Sequence, residues 1–290
     1  MTKHLTQEVA AYATQALLYE VALTPKPGLV DRANNGSHHD MDFYTFLDSI
    51  VALSPYFQQY VDLGYLHEGS LDDLFDSCRF IGIQAEKDML KATKGINTHK
   101  GANFSFGVIL TAIGYYIKNH PRLPFDTIDV EAIFVIVQKM TENLIQNDFA
   151  RLNLKEQLSY GEKLYLDKGL TGIRGEAANG YPAIQRLMMP FLRKHRNRSE
   201  AVDIIYLRAL VLLMSKIEDG NILHRGGYEQ WLQVKAEMAD LHDADLETED
   251  FIQALEEYDH ELIKRHLSPG GAADLISLGI FFSLLEGLFN

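Results

Sequence analysis

Cations, carboxylates and glycines crowd into five short segments of this 290-residue chain. The first runs from Pro25-Lys26-Pro27-Gly28-Leu29-Val30-Asp31 on to Asp40-Met41-Asp42, and the second is Gly95-Ile96-Asn97-Thr98-His99-Lys100-Gly101. Gly172-Ile173-Arg174-Gly175-Glu176 and Asp219-Gly220-Asn221-Ile222-Leu223-His224-Arg225-Gly226-Gly227 follow, and Ser268-Pro269-Gly270-Gly271-Ala272-Ala273-Asp274 closes the set. Glycine lets backbone amides approach a phosphate closely, and a helix N-terminus adds a favourable dipole. Turns of this composition on a helical scaffold point to a polyanion site.

The expected phosphate-binding cations are Lys26, His99, Lys100, Arg174, His224 and Arg225, which sit on these turns rather than on helix faces. Asn97, Gly101, Gly270 and Gly271 would bring amide groups to the same ligand. Thr98 reads as an N-cap, which puts His99, Lys100 and Gly101 in a first helical turn, where cations are unfavourable unless an anion occupies that end. The spacing of a nucleotide-binding P-loop is absent. Arg174 could grip a phosphate bidentately, and Glu176 could act as a general base or supply first-turn negative charge. Ser268-Pro269-Gly270-Gly271 resembles an amide nest. A Ser cap with Pro at the first helical position accounts for its first half but not for the paired glycines. Asp274 would then lie in the first helical turn.

For a metal, the candidates are Asp40, Asp42, Glu86 and Asp219, with Mg²⁺ as the expected ion. Asp40 and Asp42, spaced i,i+2, suit a hard cation if the backbone is turned; alternatively Asp42 caps the helix opening at Phe43. Glu86 alone reads as a solvated position paired with nearby lysines. His38-His39 lacks a matching Cys or His pair, so zinc is not expected.

The elements that must position these residues are helical. Val9, Tyr12, Ala16, Tyr19 and Leu23 step by three and four, as do Ile133, Val137, Met140 and Leu144, and no series of alternating strands is visible. Helices are expected near 5–23, 43–66, 71–93, 101–118, 129–146, 153–167, 176–194, 200–218, 227–243, 248–266 and 272–288. No repeat or low-complexity linker divides them, so residues 1–290 read as a single all-α domain.

A net charge of −13 argues against a broad nucleic-acid surface but leaves room for a small phosphorylated ligand. The single Cys78 excludes an intramolecular disulfide and fits a reducing compartment. The N-terminus lacks an apolar signal region, and the apolar run Leu275 to Phe289 is short and contains Glu286. A cytoplasmic protein without a membrane span is expected.

Taken in order, the five segments resemble the triphosphoribosyl-dephospho-coenzyme A synthase family, which makes the prosthetic-group precursor of citrate lyase and has a close relative serving malonate decarboxylase. The resemblance runs from Tyr19 to Leu278. It includes Ile83-x-x-Glu86-x-x-Met89-x-x-Ala92-Thr93-x-Gly95-x-Asn97-Thr98-His99-Lys100-Gly101. Gly220 departs from the hydroxyl residue expected between Asp219 and Asn221, and Asn103 from an aliphatic. The resemblance implies transfer of the triphosphoribosyl group of ATP to the ribose 2′-hydroxyl of 3′-dephospho-coenzyme A. Adenine would leave, and an acyl carrier protein subunit would later receive the product. Such a reaction passes through an oxocarbenium-like state and needs a carboxylate to take the hydroxyl proton. Glu176 or Asp31 is the expected base, with Asp274 third; a neighbouring Arg174 would depress the pKa of Glu176 and favour Asp31. Two rival readings are a Mg²⁺-dependent nucleotide or ADP-ribose-type N-glycoside hydrolase and a non-catalytic nucleotide-binding adaptor.

Overall fold

Polar caps begin the surface helices, and two helices that are apolar on nearly every side hold them together. The computed structural model describes residues 2–149, 158, 160–197 and 199–289. Its helices are α1 (Thr2–Ala22), α2 (Phe43–Leu66), α3 (Leu71–Ala92), α4 (Lys100–Ile117), α5 (Thr127–Met140), α6 (Leu144–Phe149), α7 (Tyr160–Lys168) and α8 (Gly172–Ala178). A π-helical turn (Ile184–Met188) leads into α9 (Met189–His195), followed by α10 (Val202–Lys216), α11 (Gly220–Asp243), α12 (Thr248–Lys264) and α13 (Gly270–Leu285). No strand occurs among the described residues, so the chain is all-α as its periodicity requires. None of the described helices is long and apolar enough to cross a membrane.

Asp42 and Thr45 form a capping box at α2, Asp126 and Asp129 another at α5, and Ser70 caps α3. Each satisfies first-turn N–H groups that have no partner inside the helix. Helices α4 and α13 carry buried residues around most of their circumference, which places them in the interior. Glycines set how closely α4 is approached. A Cβ on Gly64 would stand 1.9 Å from the Thr111 carbonyl oxygen, and one on Gly114 would stand 2.0 Å from that of Val61. The backbones of α2 and α4 therefore meet directly. Across the core, Gly279 of α13 receives the Met188 thioether, 1.9 Å from where its Cβ would be. One apolar core draws on residues from Leu5 to Leu285.

The departures from the expected helices have local causes. The helix foreseen at 129–146 ends at Met140 because the Thr141 hydroxyl donates to Val137 O (2.8 Å) and Ala177 O (2.9 Å), tying the chain to α8. The helix foreseen at 176–194 starts earlier, at Gly172, and breaks where Gly180 (φ 71°) and Tyr181 (φ 56°) turn left-handed. The turn expected over 219–227 is already helical: Asp219 caps α11, and Gly227 (φ 77°) marks a kink inside it. Residues 153–157 and 159 of the helix foreseen at 153–167 lie outside the described residues; α7 begins at Tyr160 and runs to Lys168.

Candidate active site

The loop after α1 is built around Asp31. Its carboxylate accepts the backbone N–H groups of Lys26 (3.0 Å), Ala33 (2.7 Å) and Asn34 (3.0 Å), and the residue is buried. This closure turns Lys26 inward. Its Nζ lies 2.5 Å from Glu20 Oε1, with both side chains buried, and burial pushes the Glu20 carboxyl up against the opposing pull of Lys26. Gly28 needs its φ of 71°, and any Cβ there would fall 2.3 Å from Leu267 O.

His99 faces the same region, and the expectation that it acts as a cation is corrected. Burial, with Lys26 nearby, holds its pKa down to about 3, so the imidazole is neutral. Thr98 donates to Ser49 Oγ (2.7 Å), which lies 2.7 Å from His99 Nδ1. That order leaves the Ser49 proton for Nδ1 and makes Nε2 an N–H; Nε2 is buried with no hydrogen-bond partner among the described residues. Thr98 is therefore not the helix cap. His99 holds that position without a capping side chain, and α4 opens at Lys100.

The carboxylates of the remaining segments divide into two kinds. Asp219 is buried and accepts N–H groups from Asn221 (2.9 Å), Ile222 (3.1 Å) and Ala272 (2.8 Å), so it ties the starts of α11 and α13 together. Gly270 and Gly271 are helical rather than a nest. Their hydrogens make room for Asn221 Nδ2 and Asp219 Oδ2, which would lie 2.4 and 3.0 Å from added Cβ atoms. Asp274 falls one turn further on than expected, because α13 begins at Gly270. Its Oδ2 rests on Gly101, 1.9 Å from the position of a Cβ there, and it accepts the Ala102 N–H. Burial first, then the Asp219 and Glu20 carboxylates, raises its pKa well above the usual range. Glu176 accepts the Ala183 N–H (3.0 Å), and burial, with Glu218 adding, raises its pKa as well. Arg174 does not oppose that shift: its Nε is 2.8 Å from Asp148.

Three cavities meet around Asp274 and Gly101. A cleft of about 670 Å³ is lined by Glu176, Arg186, Lys216, His224, Gly271 and Asp274, among others. A pocket of about 90 Å³ adjoins it, sharing Asn221 and Asp274, and contains Glu20, Lys26, Asn97, His99, Arg225 and Gly270. Here Arg225 donates to Ser37 O (3.1 Å) and reaches His38, whose ring lies 3.0 Å from Ser268 Oγ. A third cavity of about 300 Å³ holds Glu86, Lys100, Gly101 and Arg174. The six residues expected to bind the triphosphate or the coenzyme's diphosphate are divided among the three cavities: Lys100 and Arg174 line the third, Lys26, His99 and Arg225 the small pocket, and His224 the large cleft.

The four expected metal ligands do not assemble. Asp42 caps α2, Asp219 caps α11, Glu86 pairs with Lys100 (2.6 Å), and Asp40 is exposed beside His38 (3.6 Å). Among the described residues no three His, Cys, Asp or Glu side chains form a metal-binding group. Sequence reading missed Glu20, Ser49, Arg79, Asp148, Arg186 and Lys216, all of which lie outside the glycine segments. Glu20 left a trace, since it continues the buried face of Ala13, Ala16 and Leu17 where an acid is out of place.

Over residues 6–290 the chain matches the family described as ATP:dephospho-CoA triphosphoribosyl transferase. It is 48% identical over 292 residues to a probable 2-(5''-triphosphoribosyl)-3'-dephosphocoenzyme-A synthase of Streptococcus equi subsp. zooepidemicus (strain H70), covering 99% of each chain. A protein of the same name from Streptococcus mutans serotype c is 46% identical over 293 residues, again 99% of each. A third, from Streptococcus pyogenes serotype M49, is 47% identical over 295 residues, 99% of this chain and 100% of the relative. No solved structure matches the chain.

Proposed function

The chain belongs to the ATP:dephospho-CoA triphosphoribosyl transferase family, and from that premise we propose how its cleft performs the transfer. The enzyme moves the triphosphoribosyl group of ATP to 3′-dephospho-coenzyme A and releases adenine. The observation that supports the site is that Glu176 and Asp274 line one cleft together with Arg186, Lys216 and His224. The C1′–N9 bond of ATP breaks, adenine takes the electron pair, and the acceptor 2′-oxygen bonds to C1′. Glu176 takes the hydroxyl proton, and a proton is delivered to a nitrogen of the departing adenine, so that none is gained or lost overall. The raised pKa of Glu176 makes it a stronger base than an exposed carboxylate, and the basic side chains of Arg186 and Lys216 in the cleft lining give the triphosphate a place to lie. The neutral His99 offers a hydrogen-bond donor without adding charge.

Mg²⁺ remains part of the reading, but the residues present do not fit a protein-built cage for it. It would arrive on the triphosphate, which supplies oxygen ligands of its own alongside water. One catalytic unit spanning the chain works in the cytoplasm, and its product passes to an acyl carrier protein subunit of citrate lyase. The lone cysteine and the family support this placement.

Adenine release from ATP tests the reaction. It should depend on 3′-dephospho-coenzyme A, with one adenine formed per acceptor consumed. Release at the same rate without acceptor would identify a hydrolase, and binding without any adenine would identify an adaptor.

A further inference from the structure

The transfer needs two polyanionic substrates, and Arg79, Lys100 and Arg174 line a cavity that shares no cation with the cleft of Arg186, Lys216 and His224. We propose that the third cavity binds the diphosphate and pantetheine arm of the acceptor. This rests on the reading of the cleft as the reaction site.

The rim of the cavity is charged and its floor is apolar. Arg79, Lys100 and Arg174 stand at the rim with side chains 43%, 58% and 43% exposed. Asp148 is shared between Arg79 (2.7 Å) and Arg174 (2.8 Å), and Glu86 holds Lys100. Three cations against two carboxylates leave a positive rim in a protein whose net charge is −13. Below it lie Phe75, Cys78, Phe104 and Val108. A diphosphate carrying a gem-dimethyl, amide-linked arm matches that order of charge and oil. The 90 Å³ pocket beyond Asp274 is far smaller and already holds the Lys26–Glu20 pair.

The route between the sites is short. Ile173 lines both the large cleft and the third cavity. Gly101 lines the third cavity while its α-carbon abuts Asp274 Oδ2. An acceptor whose ribose lies in the cleft would pass its 5′-diphosphate over this thin wall toward Lys100. The absence of a side chain at Gly101 keeps both the wall thin and Asp274 in place.

Steady-state kinetics with two acceptors provides the test. ADP keeps the 2′-hydroxyl and the diphosphate but lacks the pantetheine arm. Arg79→Ala should raise KM for 3′-dephospho-coenzyme A about tenfold or more, as for a lost charged hydrogen bond, with KM for ATP within about twofold. Ile83 is half exposed at the mouth of the cavity, so Ile83→Trp can fold while blocking the arm. It should raise KM for 3′-dephospho-coenzyme A and leave KM for ADP unchanged. A rise in KM for ATP instead would give the cavity to the donor, and equal effects of Ile83→Trp on both acceptors would remove the arm from it. Unchanged constants in both variants would also overturn the proposal. Wild-type enzyme that releases adenine without an acceptor would instead overturn the transfer reading itself.

Discussion

The loop around Asp31 and the cleft wall around Asp274 both keep a carboxylate away from bulk water, yet they treat it differently. Three backbone N–H groups converge on Asp31, so its charge is used up in closing a turn. Asp274 receives one, from Ala102, and faces the carboxylates of Asp219 and Glu20. Glu176 likewise receives a single amide. A carboxylate with spare lone pairs beside a cavity can exchange protons with a ligand, whereas a saturated one holds the backbone. Residue type does not separate the two; the number of amides aimed at each does.

Exchanging the two environments by mutation should produce the largest contrast. Glu176→Gln keeps shape and the Ala183 contact but removes the proton acceptor, so kcat should fall by about 10²–10⁴-fold with ATP binding retained. Asp31→Asn should do the reverse. It weakens three amide contacts in a buried turn and should cost about 1–3 kcal/mol of stability, read by denaturant unfolding, with kcat changed less than about tenfold. A collapse of turnover in Asp31→Asn at unchanged stability, with near-normal Glu176→Gln, would give the base to the loop.

The second contrast is in pH. The Asp274 pKa in the folded protein is raised, so between its ordinary carboxylate value and that raised value the folded state binds more protons than the unfolded one. By linkage, stability falls as pH rises through this window, and the full penalty is present above it. Asp274→Asn has no proton to lose. Its Tm should match wild type at the acid edge of the window and exceed it increasingly toward neutral pH. Two parallel Tm curves would mean that the Asp274 charge is compensated in the folded state.

The helical fold and most site segments were legible because both rest on local rules. The expected ranges 43–66 and 71–93 match α2 and α3 nearly to their ends, and glycine-rich composition pointed to the helix starts that meet at the cavities. What was not legible depends on packing across the fold. Asp219 reads as a free carboxylate until α13 brings Ala272 N within 2.8 Å, 53 residues away in the chain. Lys26 reads as an exposed cation until the Asp31 turn folds it against Glu20. Arg79 on α3 and Asp148 on α6 carry no motif at all, and 69 residues separate them in the chain although their side chains pair at 2.7 Å.

Asp42 gives the smallest effect and the cleanest separation of roles. Its Oδ1 accepts the Thr45 hydroxyl (2.7 Å) and Thr45 N (2.8 Å), and these two hydrogen bonds, the hydroxyl's first, hold its pKa below the usual carboxylate range. A cap of this kind is worth about 0.5–2 kcal/mol, so Asp42→Ala should lower stability by about 1 kcal/mol. The lowered pKa means that this contribution is present above the ordinary carboxylate value and fades as acid protonates the folded state. Wild type and variant should therefore converge in stability at low pH. If Asp42 only caps α2, the Mg²⁺ concentration for half-maximal turnover stays the same in Asp42→Ala. A severalfold rise in that concentration, with stability hardly changed, would instead return Asp42 to the metal and make its cap incidental.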